Sequence, residues 1–219
     1  MVFLIDLTRI FEEQDRLNKE TAAKHEEYSK LSRDQLTRNY VFAALAEAGE
    51  MANEWSHFKI WKSTRKENRD APCQKCNGLG ELNCKKCVYC ENGRVNPLRE
   101  EYIDVVHFII SVAIGFDLDS NEYLLENKER PKVEVSPKVA YNLYLELYKY
   151  LVYANVLIEE LEKFPHTKET NQKERTKVAT QLLNVLFDLG YSMGFTDADI
   201  ERAYFAKNKV NKIRQENNY

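Results

Sequence analysis

Pro97-Leu98-Arg99-Glu100-Glu101-Tyr102-Ile103-Asp104-Val105-Val106-His107-Phe108-Ile109-Ile110-Ser111-Val112-Ala113 is the stretch on which the fold turns. Tyr102, Val105, Val106, Ile109, Val112, Ala113 and, just beyond, Phe116 recur at helical spacing, so the segment is a helix with a broad buried stripe. Glu101, Asp104, His107, Phe108 and Ser111 fall along the neighbouring stripe, which leaves the helix little polar surface. A spacing of three puts the Glu101 and Asp104 carboxylates on one face. Like charges on adjacent turns repel, and burial of an unpaired carboxylate is costly. Such a pair needs a reason.

A second pair, Glu47-x-x-Glu50, follows the apolar run Val41-Phe42-Ala43-Ala44-Leu45-Ala46. Helical carboxylates are commonly solvated, and Glu47, Glu50 and Glu54 could form such a face. Against that, Ala46, Ala48, Gly49 and Ala52 surround the pair, and small residues permit close helix approach. A divalent cation removes both the repulsion and the burial penalty. Four carboxylates from two facing helices suit Mg²⁺, a hard, oxygen-seeking ion. An ion held that way can polarise a polyphosphate and activate water.

Outward from this helix the pattern stays helical. Only 7 Gly and 5 Pro occur in 219 residues, and Gly78, Gly80 and Gly93 lie close together, so the rest of the chain is poor in breakers. Helices are predicted over about 4–29, from a cap at Ser32 or Asp34 to about Trp61, from Pro97, over 137–163 and 168–194, and from a Thr196 cap to about Arg214. Residues 117–135 read as a polar connection. The fold class is therefore all-α, a bundle of about five or six helices. It forms one domain over 1–219, interrupted by an inserted module at 70–96.

The hydrophobic share of 43% excludes a disordered chain, and the net charge of −3 argues against a general nucleic-acid coat. No apolar run approaches the length that spans a bilayer, and Met1-Val2-Phe3-Leu4-Ile5 meets Asp6 and Arg9 at once, unlike a signal peptide. The expectation is a soluble, cytoplasmic protein with no membrane partner.

All five cysteines lie between 73 and 90. Cys73-Gln74-Lys75-Cys76-Asn77-Gly78-Leu79-Gly80 has the C-x-x-C-x-G-x-G form of a zinc knuckle, and Cys87-Val88-Tyr89-Cys90-Glu91-Asn92-Gly93 gives a second C-x-x-C with a trailing glycine. Glycine after each pair lets backbone N–H groups face thiolate sulfur, and the residues between the pairs suffice for a short hairpin. Structural zinc on Cys73, Cys76, Cys87 and Cys90 is the expectation. Cys84-x-x-Cys87 is a competing pair that lacks the following glycine. The module is basic (Arg65, Lys66, Arg69, Lys75, Lys85, Lys86, Arg94, Arg99), so it either staples a polar loop or also contacts nucleic acid or protein.

Four stretches resemble the dimeric, all-α dUTP pyrophosphatases, within the wider all-α NTP pyrophosphatase group that includes MazG-like enzymes. Gln14-Asp15-Arg16-Leu17-Asn18 looks like that family's Q-x-x-L-N element, and Glu47-x-x-Glu50 with Phe58-Lys59-x-Trp61-Lys62 looks like its second motif. Glu101-x-x-Asp104-x-x-His107-Phe108 is similar to the E-x-x-D-x-x-H-F helix. Ala206-Lys207-Asn208-x-x-Asn211-x-x-Arg214-Gln215 is similar to the K-N-x-x-N-x-x-R-Q signature.

The resemblance implies that Glu47, Glu50, Glu101 and Asp104 bind Mg²⁺, with Glu50 as catalytic base. It implies that Gln14 and Asn18 hydrogen-bond a uracil edge and that His107 and Phe108 lie near the deoxyribose, Phe108 blocking a 2′-hydroxyl. Lys59, Trp61, Lys207, Asn208, Asn211 and Arg214 would meet sugar and phosphates. On the residues alone, Lys207 and Arg214 equally suit dipole complementation at a helix C-terminus. The implied reaction is hydrolysis of dUTP, and of dUDP, to dUMP, by a homodimer.

The chain departs from the family pattern twice. The signature's R-Q-x-N-G-Y reads Arg214-Gln215-Glu216-Asn217-Asn218-Tyr219 here, and typical members have no cysteine module. Tyr141, Leu143, Tyr144, Leu147, Tyr148 and Leu151 are a candidate dimer interface or ordinary core. Two competing functions remain: a pyrophosphatase for another dNTP such as dCTP, and a zinc-module binding protein on an inactive helical core.

Overall fold

A computed structural model describes residues 5–83, 85–126 and 133–216 of the chain. Helix α1, Leu7–Lys24, starts where the Asp6 carboxylate accepts the Arg9 N–H, and it buries Leu7, Ile10, Phe11, Gln14 and Leu17 at spacings of three and four. The expected run to Ser29 breaks at His25, whose extended backbone separates the single turn α2, Glu26–Ser29. Helix α3, Arg33–Trp55, opens on a reciprocal capping box between Ser32 and Gln35. It ends before the expected Trp61 because Ser56 turns left-handed at φ 56°.

Asn96 caps α4, Pro97–Gly115, by accepting the Arg99 N–H, and Pro97 occupies the first turn, where its missing donor costs nothing. The segment read as a polar connection, 117–135, contains α5, Ser120–Glu126. Helices α6, Pro137–Lys163, α7, Lys168–Ser192, and α8, Asp197–Glu216, follow, with the Thr196 hydroxyl accepting the Asp199 N–H ahead of α8.

Helices α3 and α4 pack along each other as an antiparallel hairpin, α6 and α7 form a second, and α1 and α8 lean on α4. Small residues set the approach. Ala44 and Ala48 are fully buried on α3, and a Cβ on Gly115 at the end of α4 would lie 2.2 Å from the Thr37 hydroxyl near the start of α3. Tyr144 and Tyr148 of α6 donate to the α3 carbonyls of Ala48 (2.5 Å) and Leu45 (3.0 Å). Arg175 of α7, buried, makes a two-pronged ion pair with Asp34 at 2.7 and 3.2 Å. Leu147 and Leu151 are wholly buried and Tyr144 and Tyr148 pack against the core, so this face of α6 is mostly interior rather than free surface. Among the described residues no helix is long and apolar enough to cross a membrane.

The loop joining α3 to α4 carries the cysteines. Asn68 ties its entry to its exit, because its N–H donates to the Glu54 carbonyl and its own carbonyl accepts from Leu98 N–H. Strands β1, Ala71–Pro72, and β4, Arg94–Val95, pair antiparallel at the base, and β2, Glu81–Leu82, with β3, Lys85–Lys86, form a hairpin at the tip. The two acidic helices thus remain neighbours while the module projects from their shared end.

Candidate active site and four-cysteine cluster

The antiparallel hairpin explains the acidic cluster. Glu47 and Glu50 lie in the second half of α3, and that half runs beside the first half of α4, where Glu101 and Asp104 stand. One carboxylate oxygen from each of Glu47, Glu50 and Glu101 lies within 4.8 Å of the others. Asp104 differs. It is mostly buried, and its Oδ2 receives the Lys207 ammonium of α8 at 2.5 Å. Of the four expected ligands, three converge and the fourth is held by a cation beside them.

Burial, then the Asp104 charge, pushes Glu101 up to about 7, against the pull of Lys207. Burial, followed by repulsion from Asp104 and Glu50, raises Glu47 to about 6. Desolvation also raises Asp104 despite Lys207, and it raises neighbouring Glu100. Several carboxylates that resist ionisation in one place form a donor set that a divalent cation would relieve. The residues present fit such an ion.

Behind the acids lies a buried polar network. His107 Nδ1 donates to Gln14 Oε1 at 2.7 Å, and the Tyr204 hydroxyl reaches the same oxygen at 3.0 Å. Gln14 Nε2 donates to Asn18 Oδ1 at 2.9 Å, and Asn18 Nδ2 donates to Ser111 Oγ at 3.1 Å. Burial holds His107 down at about 3, so its ring is neutral, with the proton on Nδ1. Its Nε2 finds no partner among the described residues, and neither does Asn208 Nδ2. His107 stacks on Tyr204 at 4.4 Å between ring centroids, one turn before Asn208 on α8.

Phe108 packs half-buried against the core. Asn211 and Arg214 are half-buried on α8. Lys59 donates to the Asn53 carbonyl at 3.2 Å, and Trp61 stands exposed, so the structure leaves both on the α3 exit loop, outside the acid cluster. Asn217, Asn218, Tyr219 and Cys84 fall outside the described residues.

Tyr204 and Glu100 were not singled out from the sequence. Tyr204 lies three and four residues before Lys207 and Asn208, on the same helical face, so the spacing of the C-terminal signature carried that signal. Glu100 carried none, since an acid in a helical first turn is ordinary.

In the module, the four Sγ atoms of Cys73, Cys76, Cys87 and Cys90 lie within 4.8 Å of one another, with Cys76 and Cys90 at 3.6 Å. Tetrahedral Zn–S bonds of about 2.3 Å place sulfurs about 3.8 Å apart, so the cluster is compatible with zinc. Gly80 N–H donates to Cys76 Sγ at 3.3 Å, the knuckle contact that the glycines predict. Burial opposes ionisation of Cys76, yet the Gly80 N–H and the neighbouring thiols outweigh it and bring this thiol down to about 7. A Cβ on Gly93, at φ +83°, would overlap the Gly78 carbonyl oxygen at 2.0 Å, so the two knuckles meet backbone to backbone.

The fold and site together define an all-α bundle with a carboxylate cluster at a helical hairpin, able to hold a divalent cation, and a polar network beside it. The sequence profile of the dUTPase family matches residues 6–73 and 90–219, which is most of the chain. The chain belongs to the dUTPase family, enzymes that hydrolyse dUTP. No curated protein and no solved structure matches it. The profile passes over residues 74–89, which hold Cys76 and Cys87.

Proposed function

We propose that the chain is a Mg²⁺-dependent dUTP diphosphatase that also accepts dUDP. It forms dUMP and pyrophosphate from dUTP, which limits uracil in DNA and supplies dUMP. The convergence of Glu47, Glu50 and Glu101, two of them with carboxyls pushed up by burial, beside the Asp104–Lys207 pair carries the reading. Glu47, Glu50, Glu101 and Asp104 would hold the ion, with Asp104 exchanging its Lys207 contact for it. When bound, Mg²⁺ neutralises these carboxylates, polarises the phosphate and makes water more acidic.

Glu50, the exposed member of the cluster, takes the proton of the attacking water. Water oxygen bonds to the β-phosphorus while the bond to the α,β-bridging oxygen breaks, and dUMP leaves with that oxygen. Lys207 and Arg214 offset the phosphate charge. Gln14 and Asn18 present amide groups to a uracil edge, which would take over the Asn18 bonds to Gln14 and Ser111. The orphaned His107 Nε2 and Asn208 Nδ2, an acceptor and a donor flanking Tyr204, support a polar ligand entering there.

The domain organisation follows the same reading: one catalytic domain over 1–219 with the module at 70–96 inserted and structural Zn²⁺ on Cys73, Cys76, Cys87 and Cys90. A cytoplasmic homodimer completes it. Tyr141, Leu145, Val152, Tyr153 and Val156 leave an exposed apolar face on α6, and Phe42 is exposed on neighbouring α3, which supports pairing of two copies. The deciding experiment is pyrophosphate release by pure protein from each dNTP. Fast release from dUTP with Mg²⁺, lost on chelation, is expected. Preferential release from dCTP, or none from any dNTP, would overturn the assignment.

A further inference from the structure

A cleft of about 490 Å³ opens between the cysteine module and the catalytic helices. It is lined by Glu100 and Glu101 of α4, by Lys207 and Arg214 of α8, and by Lys75, Tyr89 and Cys90 of the module. Arg99, in the first turn of α4, also lines it. Of the acid cluster Glu101 borders it, while Glu47, Glu50 and Asp104 do not, and none of Gln14, Asn18 or His107 lines it.

The cations around it are not equally available. Arg94 is committed to Asp70 by two bonds, at 2.6 and 2.7 Å, and Lys207 is held by Asp104. Arg99 lies 3.9 Å from the exposed Glu91 carboxylate, a weak pairing. Lys75 forms no ion pair among the described residues; its ammonium rests 5.9 Å from the Tyr89 ring centroid, and that ring packs against the cysteine cluster. Lys75 is the second residue after Cys73 in the first knuckle and Tyr89 the second after Cys87 in the other, so the sulfur cluster fixes both backbone positions.

We propose that the module is a working wall of the active site, and that Lys75, seated on Tyr89, binds the terminal phosphates of the nucleotide, with Arg99 as its neighbour. The proposal rests on the dUTP reading of the acid cluster. It adds a binding group from the inserted segment that the family profile passes over. A cation over a ring keeps a defined position while its three N–H donors remain free for phosphate oxygens. A nucleotide whose α- and β-phosphates meet the acid cluster would extend its tail along this cleft, where a carboxylate-rich site otherwise repels it. Zinc in the knuckles would then govern affinity for substrate as well as the fold of the loop.

The test has two arms on the full-length, zinc-loaded protein. The first is calorimetric binding of pyrophosphate in Mg²⁺, which needs no turnover: Lys75→Gln should weaken it roughly tenfold, and Lys75→Arg should restore most of it. The second compares KM values, where Lys75→Gln should raise KM for dUTP several-fold more than KM for dUDP, with kcat and zinc content little changed. Tyr89→Leu, which keeps an apolar contact to the cluster, should produce a weaker version of the same change. Equal pyrophosphate affinity in wild type and Lys75→Gln, or no binding by wild type, would overturn the proposal. A loss that is equal for dUTP and dUDP would do so too. Failure of the wild type to turn over dUTP would instead overturn the underlying function, independently of the first arm.

Discussion

Glu101 and Glu47 keep their protons to about 7 and about 6, against an ordinary 4.5, because folding removes water from them and sets other carboxylates close by. Between those values the folded chain binds more protons than the unfolded one, so stability falls as pH rises from about 4.5 through 7. The metal-free protein should therefore melt at a lower Tm at pH 8 than at pH 5, after allowance for other groups by comparison with Glu47→Gln/Glu101→Gln. Added Mg²⁺ should raise Tm more at pH 8 than at pH 5; a reversed order would remove these carboxylates from the metal site. At the other end of the site, Asn18→Ala should raise KM for dUTP about tenfold or more with little loss of fold, since Asn18 is only half-buried. Gln14 is a poorer probe, because it is buried and accepts from both His107 and Tyr204. The acidic pairs were legible in the sequence because carboxylates on apolar helices violate a strong burial rule. The Asp104–Lys207 pair was not, since nothing in helical periodicity aligns residue 104 with residue 207.

At the scale of elements, the α3–α4 hairpin positions the site through close contact. Gly115→Ala should force Thr37 and its helix apart and lower stability by about 1–3 kcal/mol, with Thr37→Ala/Gly115→Ala recovering part of the loss because it removes the hydroxyl and methyl that the new Cβ meets. A loss absent from denaturant melts would mean that the hairpin is looser than its packing indicates. In the module, about one zinc per chain should survive Cys84→Ser and disappear with Cys76→Ser. Retention of zinc by Cys76→Ser would place the metal elsewhere. Helix identity came through well because α3, α4, α6 and α7 are long and periodic. Helix ends came through less well: His25 stops α1 and Ser56 stops α3 by backbone conformations that neither residue type demands. Ser120–Glu126 forms a helix within a polar connection, where local apolar spacing was too short to register.

On the scale of the whole molecule, the fold separates three tasks: a buried amide network behind α4, an acid cluster between α3 and α4, and a cysteine module at the tip of the same hairpin. An exposed apolar face on α6 is the surface through which the proposed homodimer would pair. Leu145→Glu/Val152→Glu, placed on that face and away from the core, should convert a dimer to a monomer by light scattering at micromolar concentration. An unchanged mass would move the interface elsewhere. Sequence could not separate the two faces of α6, because both carry Tyr and Leu; only packing against α3 and α7 shows which is interior. The central claim is that Glu47, Glu50, Glu101 and Asp104 form a metal-dependent hydrolytic centre for dUTP. Its most direct test is steady-state dUTP hydrolysis by wild type and Glu50→Gln in Mg²⁺. The account predicts brisk, chelator-sensitive turnover by wild type and a kcat lower by about 10²–10⁴-fold in Glu50→Gln, with its helical circular dichroism intact. A folded Glu50→Gln protein that hydrolyses dUTP at the wild-type rate would contradict it.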